Sequence, residues 1–293
     1  MSIDELWILL TAILVGLSCS MVGTFLVLRR LSMLGDAISH SVLFGLVVAA
    51  LLTGGRAPWA MFLGALSVGL LTAFLTNFLN TKVRLQEDAS IGVTFTWLFA
   101  LGVILVSLFA GKIDIDQECV LFGELAFLPF TTFQIFGVDI GPQGFYLIAI
   151  VAVINAIVLT LGFQRFSMLS FDPLLAKTLG SRTQIWHYIL MALTSLTTVG
   201  SFDAVGAILV VALLVIPPNT AYLFARSVRE MMLLSSLFAT VSAAGGFFLA
   251  SAVDSSISAS IVIVAGSILI LAIVIRKISD MRARGGQLTL EPV

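Results

Sequence analysis

Long apolar runs recur along the whole 293-residue chain, and they constrain its fold more than any other feature. A helix that crosses a lipid bilayer needs about 20 predominantly apolar residues. A helix is favoured inside a bilayer because all its backbone hydrogen bonds are made within one segment. The sequence predicts nine such spans, near residues 6–28, 37–53, 58–79, 90–110, 144–163, 185–201, 204–224, 231–252 and 257–275.

The composition supports a membrane protein. Hydrophobic residues make up 59% of the chain and charged residues 11%, whereas soluble domains carry roughly 25% charged residues. We therefore expect an all-α polytopic membrane protein with about eight or nine transmembrane helices, forming one domain over residues 1–293 and surrounded by the lipid bilayer. A net charge of −1 gives no reason to expect nucleic acid as a partner. Residues 119–137, which include Glu124, predict an interfacial or re-entrant segment.

The basic residues predict the orientation. Cytoplasmic loops of membrane proteins are enriched in Lys and Arg, and nine crossings divide the loops of this chain into two sets. One set holds thirteen of the basic residues, and the other holds only Arg56 and Lys112. The first set is expected in the cytoplasm, which places the N-terminus outside and the C-terminal tail, residues 276–293, inside.

One cytoplasmic loop contains a short predicted helix, at about residues 171–180. Asp172 is its expected cap, Pro173 lies in its first turn and Gly180 follows its end. Its apolar residues recur at helical spacing: Leu174, Leu175 and Leu179. Two interpretations remain open, an amphipathic helix lying on the membrane and a docking helix for a cytoplasmic partner.

The stretch GDAISH places Asp36 four residues before His40, so the two side chains share one face of a helix. They could form a hydrogen-bonded pair that stabilises the bundle. However, taking both groups out of water in a bilayer costs several kcal/mol unless a polar path runs beside them. A carboxylate and an imidazole are also two ligands for a divalent first-row metal ion. His187 is expected near the inner membrane surface, as an interfacial histidine.

Asp203 interrupts the apolar sequence between two predicted spans. Ionisable residues within a membrane often have a function, although Asp203 could also cap a helix in a wet turn. Pro217 and Pro218 then predict a break in the seventh helix, because proline has no backbone N–H.

Three stretches together resemble a known family. RRLSMLGDAISHSVLFG, SFDPLLAKTLG and VGAILVVALLVIPPNTAYL occur in the order found in the membrane-permease subunits of bacterial ABC importers for manganese, zinc and iron. The resemblance implies a fold similar to type II ABC importer permeases, in the bacterial inner membrane. It implies a cytoplasmic ABC ATPase dimer, an extracytoplasmic metal-binding protein, and a second permease, identical or homologous. It also implies that Asp36 and His40 bind the transported metal and that residues 172–180 contact the ATPase. Asp203 departs from the family pattern, since relatives often have an uncharged residue there, and it is a further candidate ligand from the same chain.

The expected substrate is a divalent transition metal ion, with no permanently bound cofactor. Asp and His suit Mn²⁺, Fe²⁺ and Zn²⁺, and the absence of a thiolate ligand argues against Cu⁺. We favour manganese, because two histidines in the chain do not make a histidine-rich zinc site. The chain has no P-loop, so it is expected to be a transporter subunit and not an enzyme. The alternative is a secondary carrier in which Asp36 and His40 relay protons.

Overall fold

The computed structural model describes residues 3–55, 57–109, 125–130, 132–135, 138–178 and 182–287, and it is almost entirely helical. The helices are α1 (Ile3–Leu28), α2 (Leu34–Thr53), α3 (Pro58–Lys82), α4 (Glu87–Phe109), α5 (Gln143–Leu161), α6 (Phe163–Phe171), α7 (Pro173–Thr178), α8 (Thr183–Tyr222), α9 (Val228–Val253) and α10 (Ile257–Gln287). Between α4 and α5 lie a 3₁₀ helix (Leu125–Phe130) and an antiparallel hairpin of β1 (Thr132–Ile135) and β2 (Val138–Pro142).

The nine predicted spans are confirmed in the described part of the chain. Each corresponds to a helix, or half of α8, that is long and apolar enough to cross a membrane. The two halves of α8 are Thr183–Phe202 and Ala204–Tyr222. We call them α8a and α8b.

α1, α2 and both halves of α8 form the interior of the bundle, and α4, α5 and α10 lie at its periphery. Side chains fully buried in the interior include Phe25 of α1, Ile38 of α2, and Leu190 and Leu213 of α8. The peripheral helices instead expose large apolar side chains, such as Trp97 and Ile270. This pattern is expected of a protein whose outer surface contacts lipid and not water.

The break in α8 lies at Gly206 and not at the prolines, so the predicted break at Pro217 and Pro218 is wrong. Gly206 has φ 78° and ψ 165°, whereas both prolines lie within the helix. Inside a bundle, neighbouring groups can compensate for the missing proline N–H groups.

The loop between α5 and α8 contains two short helices, α6 and α7, where one was predicted. α7 begins as expected, because the Leu174 backbone N–H donates to Asp172 Oδ1 at 3.0 Å and Asp172 thereby caps the helix. Leu179, Gly180 and Glu124 lie outside the described residues. Neither α6 nor the hairpin at residues 132–142 was predicted from the sequence.

Candidate metal-binding site

Asp36 and His40 lie on one face of α2, as their spacing predicts. α2 begins at Leu34, three residues earlier than expected, so Asp36 belongs to its first turn. Asp36 Oδ1 is 3.5 Å from His40 Nε2, and the two side chains are 36% and 38% exposed. A carboxylate oxygen and an imidazole nitrogen therefore lie side by side on a face that the described part of the chain leaves partly exposed.

The opposite face of α2 is packed tightly, which fixes the orientation of the pair. Ile38 is fully buried, and Ser41 Oγ is hydrogen-bonded to Thr72 Oγ1 of α3 at 2.7 Å. Gly35 lies against Leu214 of α8b, where an added Cβ would stand 2.8 Å from Leu214 Cδ1. α2 therefore cannot rotate without disrupting contacts with two neighbouring helices.

Two phenylalanines of α4 border the imidazole. The His40 ring centroid is 5.9 Å from that of Phe95 and 5.8 Å from that of Phe99, and the Phe99 contact is edge-on. These rings give the pair an apolar wall on one side and restrict the positions that the imidazole can adopt.

Asp36 and His40 are two candidate ligands, and the described residues do not complete a metal site around them. They contain no group of three His, Cys, Asp or Glu side chains that could hold a metal ion. Asp203 lies just before α8b in the chain, and α8b contacts α2 further along its length. Gly35 contacts Leu214, which follows Gly206 by eight helical residues, about 12 Å along α8b.

His187 has a partner that the sequence did not predict. Arg29 Nη2 lies 2.6 Å from His187 Nδ1, across 158 positions of sequence. A guanidinium group only donates hydrogen bonds, so His187 accepts at Nδ1 as a neutral imidazole. Burial lowers the pKa of Arg29, and the nearby Glu87 carboxylate acts in the opposite direction.

The chain belongs to the ABC 3 transport family, whose profile matches residues 5–276. It is 48% identical over 262 residues to the manganese transport system membrane protein MntD of Bacillus subtilis (strain 168), covering 89% of this chain and 88% of that protein. It is 36% identical to the zinc transport system membrane protein TroD of Treponema pallidum (strain Nichols), covering 88% of this chain and 70% of TroD. It is 31% identical to the chelated iron transport system membrane protein YfeD of Yersinia pestis, covering 94% of this chain and 86% of YfeD.

A solved structure shares the fold over nearly the whole chain. PsaBC from Streptococcus pneumoniae, determined in complex with a Fab, superposes with a TM-score of 0.75 at 32% identity, covering 93% of this chain and 91% of that one. The chain is therefore a permease subunit of a metal-ion ABC importer, a multi-pass protein of the bacterial inner membrane and not an enzyme. This result sets aside the secondary carrier.

Proposed function

We propose that this permease carries Mn²⁺ in preference to Zn²⁺ or Fe²⁺, along a path that passes Asp36 and His40. The observation that carries the proposal is the open face of α2, on which Asp36 Oδ1 and His40 Nε2 lie 3.5 Å apart. A hard carboxylate oxygen with one imidazole suits Mn²⁺. The 48% identity to a manganese transport protein supports this preference over zinc and iron.

The rest of the coordination sphere would come from outside the pair. A second permease, identical or homologous, would face this chain and bring its own ligands to the path, and water and backbone carbonyls would fill the remaining positions. An incomplete site also suits transport, because each metal ion must leave the site after it binds. Asp203, just before α8b, is a further candidate ligand from the same chain.

The proposed orientation places the N-terminus outside and the C-terminus in the cytoplasm. α7 then lies on the cytoplasmic side, where it would contact an ABC ATPase dimer. An extracytoplasmic metal-binding protein would deliver the ion to the opposite side. ATP hydrolysis in the partner would be coupled to movement of the permease helices through α7.

The test is metal uptake by variants of the pair. Asp36→Asn keeps the shape of the side chain and removes its charge, and His40→Ala removes the imidazole. We expect each to lower the rate of ⁵⁴Mn²⁺ uptake by about 100-fold, since loss of an outer-shell partner alone costs 10–100-fold in metal sites. Initial rates would be measured in proteoliposomes containing the complete transporter.

Asp88→Asn is the matched control, because it neutralises an exposed carboxylate in the first turn of α4. It should transport at close to the normal rate. If Asp36→Asn or His40→Ala also does so while the complex assembles normally, that residue is a packing partner and not a ligand. Parallel uptake of ⁶⁵Zn²⁺ and ⁵⁵Fe²⁺ tests the preference for manganese.

A further inference from the structure

A cleft of about 490 Å³ lies between the end of α5, the first turn of α6 and the start of α8a. Its volume is within the range of roughly 300–1,000 Å³ that is usual for small-molecule sites. The residues that line it are all apolar or cationic: Leu161, Arg165, Arg182, Ile185, Trp186 and Ile189. In the proposed orientation, the cleft opens at the cytoplasmic surface of the membrane.

The base of the cleft is tightly packed. Trp186 of α8a lies edge-on to Phe166 of α6, with ring centroids 5.2 Å apart and planes at 86°. Gly162, between α5 and α6, lies against both rings, since an added Cβ would stand 2.6 Å from Phe166 and 2.7 Å from Trp186. Phe166 is itself buried against Phe25 of α1. The cleft is therefore preformed by the packing of membrane helices.

The lining changes from cationic to apolar in the direction that enters the bilayer. On α8a, the four lining residues are spaced i, i+3, i+4 and i+7, so they form one stripe. Arg182 lies just before α8a, and Ile189 is seven residues further on, about 10 Å deeper in the membrane. The opposite wall has the same order, because Leu161 ends the membrane-spanning α5 and Arg165 follows in α6.

The apolar part of the cleft is accessible from the lipid. Leu161 is 83% exposed and Ile185 is 46% exposed, and α5 is one of the peripheral helices. An acyl chain could cover these side chains, whereas a water-soluble phosphate compound would leave them uncovered. Arginine is well suited to phosphate, because its planar guanidinium group donates two parallel hydrogen bonds. Basic clefts between membrane helices on the cytoplasmic side typically bind anionic lipid headgroups.

We propose that this cleft binds an anionic phospholipid of the cytoplasmic leaflet. The lipid phosphate lies between Arg165 and Arg182, and one acyl chain lies along Leu161, Ile185 and Ile189. The bound lipid bridges α6 and α8a, the two helices that precede and follow α7 in the chain. The proposal is independent of the metal that is carried, and it takes only the side of the membrane from the proposed orientation.

Trp186 can report the bound lipid directly. In a full-length variant in which Trp7, Trp59 and Trp97 are replaced by Phe, Trp186 is the single tryptophan of the chain. The purified variant is reconstituted in vesicles of phosphatidylcholine and phosphatidylglycerol, with bromine on the acyl chains of one lipid or the other to quench nearby tryptophan fluorescence. We expect phosphatidylglycerol to bind about 25-fold more tightly than phosphatidylcholine, because each arginine contributes about fivefold.

Arg165→Gln and Arg182→Gln should each lower this preference about fivefold, and the double variant should have no preference. Arg182→Gln keeps the start of the helix, where the Arg182 carbonyl accepts from the Ile185 N–H at 3.0 Å. Either single variant is sufficient if the double variant does not fold. Lys82→Gln is the matched control, because it removes an exposed basic residue at the end of α3. It should retain the full preference.

Two quenching results would overturn the proposal: equal binding of the two lipids to the single-tryptophan chain, or an unchanged preference in the double arginine variant. A third contrary result is loss of the ATPase on co-purification of the double variant with unchanged quenching, which would assign the cleft to the ATPase. The quenching measurement contains no metal ion. Its outcome is therefore separate from the test of manganese transport through Asp36 and His40.

Discussion

Arg30 adopts a backbone conformation that is unfavourable for arginine. Its φ is 61°, at the position where glycine is the usual residue in the Schellman turn that ends α1. A residue with a Cβ loses about 1–2 kcal/mol in this left-handed region. The strain is confined to the turn that holds Arg29 against His187.

We expect Arg30→Gly to stabilise the protein relative to Arg30→Ala by about 1 kcal/mol, because only glycine adopts this φ without strain. Both variants remove the same charge, so their difference isolates the backbone. The thermal unfolding midpoint of the purified protein in detergent is the measurement. Equal unfolding midpoints for the two variants would show that the positive φ of residue 30 does not lower the stability of the protein.

The candidate site was only partly predictable from the sequence, because contacts between residues far apart in the chain leave no local sequence pattern. Asp36 and His40 are four residues apart, so helical geometry alone places them together. Arg29 and His187 come from opposite parts of the chain, and no local pattern connects them. The phenylalanines beside His40 likewise belong to another helix, and their contact depends on how α2 and α4 pack.

Where α1 crosses α8b, the two helices are held by close backbone contact and not by bulky apolar side chains. Gly23 of α1 lies directly against the carbonyl group of Leu214 and the ring of Pro218. Pro218 has no N–H to offer the Leu214 carbonyl, which is four residues earlier, and only a glycine lets α1 approach that carbonyl. Lipid is as apolar as leucine, so helices in membranes associate through such small-residue contacts.

Gly23→Ala should therefore separate α1 from α8b and reduce both the amount of folded protein and its uptake activity. The added Cβ meets backbone atoms, which cannot move aside as a side-chain end can. Gly92→Ala in α4 is the matched control, since nothing lies within 4 Å of its added Cβ. It should be neutral or stabilising by up to about 1 kcal/mol, the usual gain in helix propensity. Fluorescence-detected size-exclusion profiles would measure both, and a normal Gly23→Ala profile would contradict the contact.

α7 presents an apolar side chain that nothing in the described chain covers, since Leu174 is 74% exposed. We expect Leu174→Asp combined with Leu175→Asp to release the ATPase while the permease remains in the membrane, because charge buried in an interface costs several kcal/mol. Val83→Asp, an exposed apolar residue after α3, is the control. Co-purification of the ATPase is the measurement, and normal co-purification with normal uptake would place α7 on lipid instead.

The elements predicted correctly from the sequence are the helices that cross the bilayer. Length and apolarity define a membrane span, and all nine spans were recognised by these two criteria. The Asp172 cap was also predictable, because a capping bond is local. α6 and the hairpin were missed, since a nine-residue helix and two short strands carry no comparable signal. The predicted break at Pro217 and Pro218 was wrong because the free-energy cost of a missing N–H depends on the neighbouring groups that can compensate for it.

At the scale of the whole molecule, buried polar side chains connect a peripheral helix to the interior of the bundle. Asn155 of α5 donates from Nδ2 to Ser18 Oγ of α1 at 2.8 Å and to Thr197 Oγ1 of α8a at 2.7 Å. All three residues are fully buried. The amide nitrogen of Asn155 therefore links three membrane-spanning segments, whereas its Oδ1 is buried without a hydrogen-bond partner among the described residues.

The orientation of the bundle can be tested by chemical labelling. In a background without Cys19 and Cys119, single cysteines at positions 82 and 229, now Lys82 and Arg229, should resist an impermeant thiol reagent added to intact cells. Single cysteines in place of Arg56 and Lys112 should react, because the basic residues predict these loops outside. Labelling of the opposite set would reverse the orientation and place α7 on the outer side.

α10 is longer than a bilayer is thick. Its 31 residues extend over about 46 Å, whereas the hydrocarbon core measures about 30 Å, so several turns of the same helix continue beyond the lipid. Arg276, near the point of emergence, donates a hydrogen bond to the Leu223 carbonyl after α8b. A spin label at the exposed Met281 would sit on an extension of a membrane helix, and spectroscopic distances from it would report the tilt of α10 during the transport cycle.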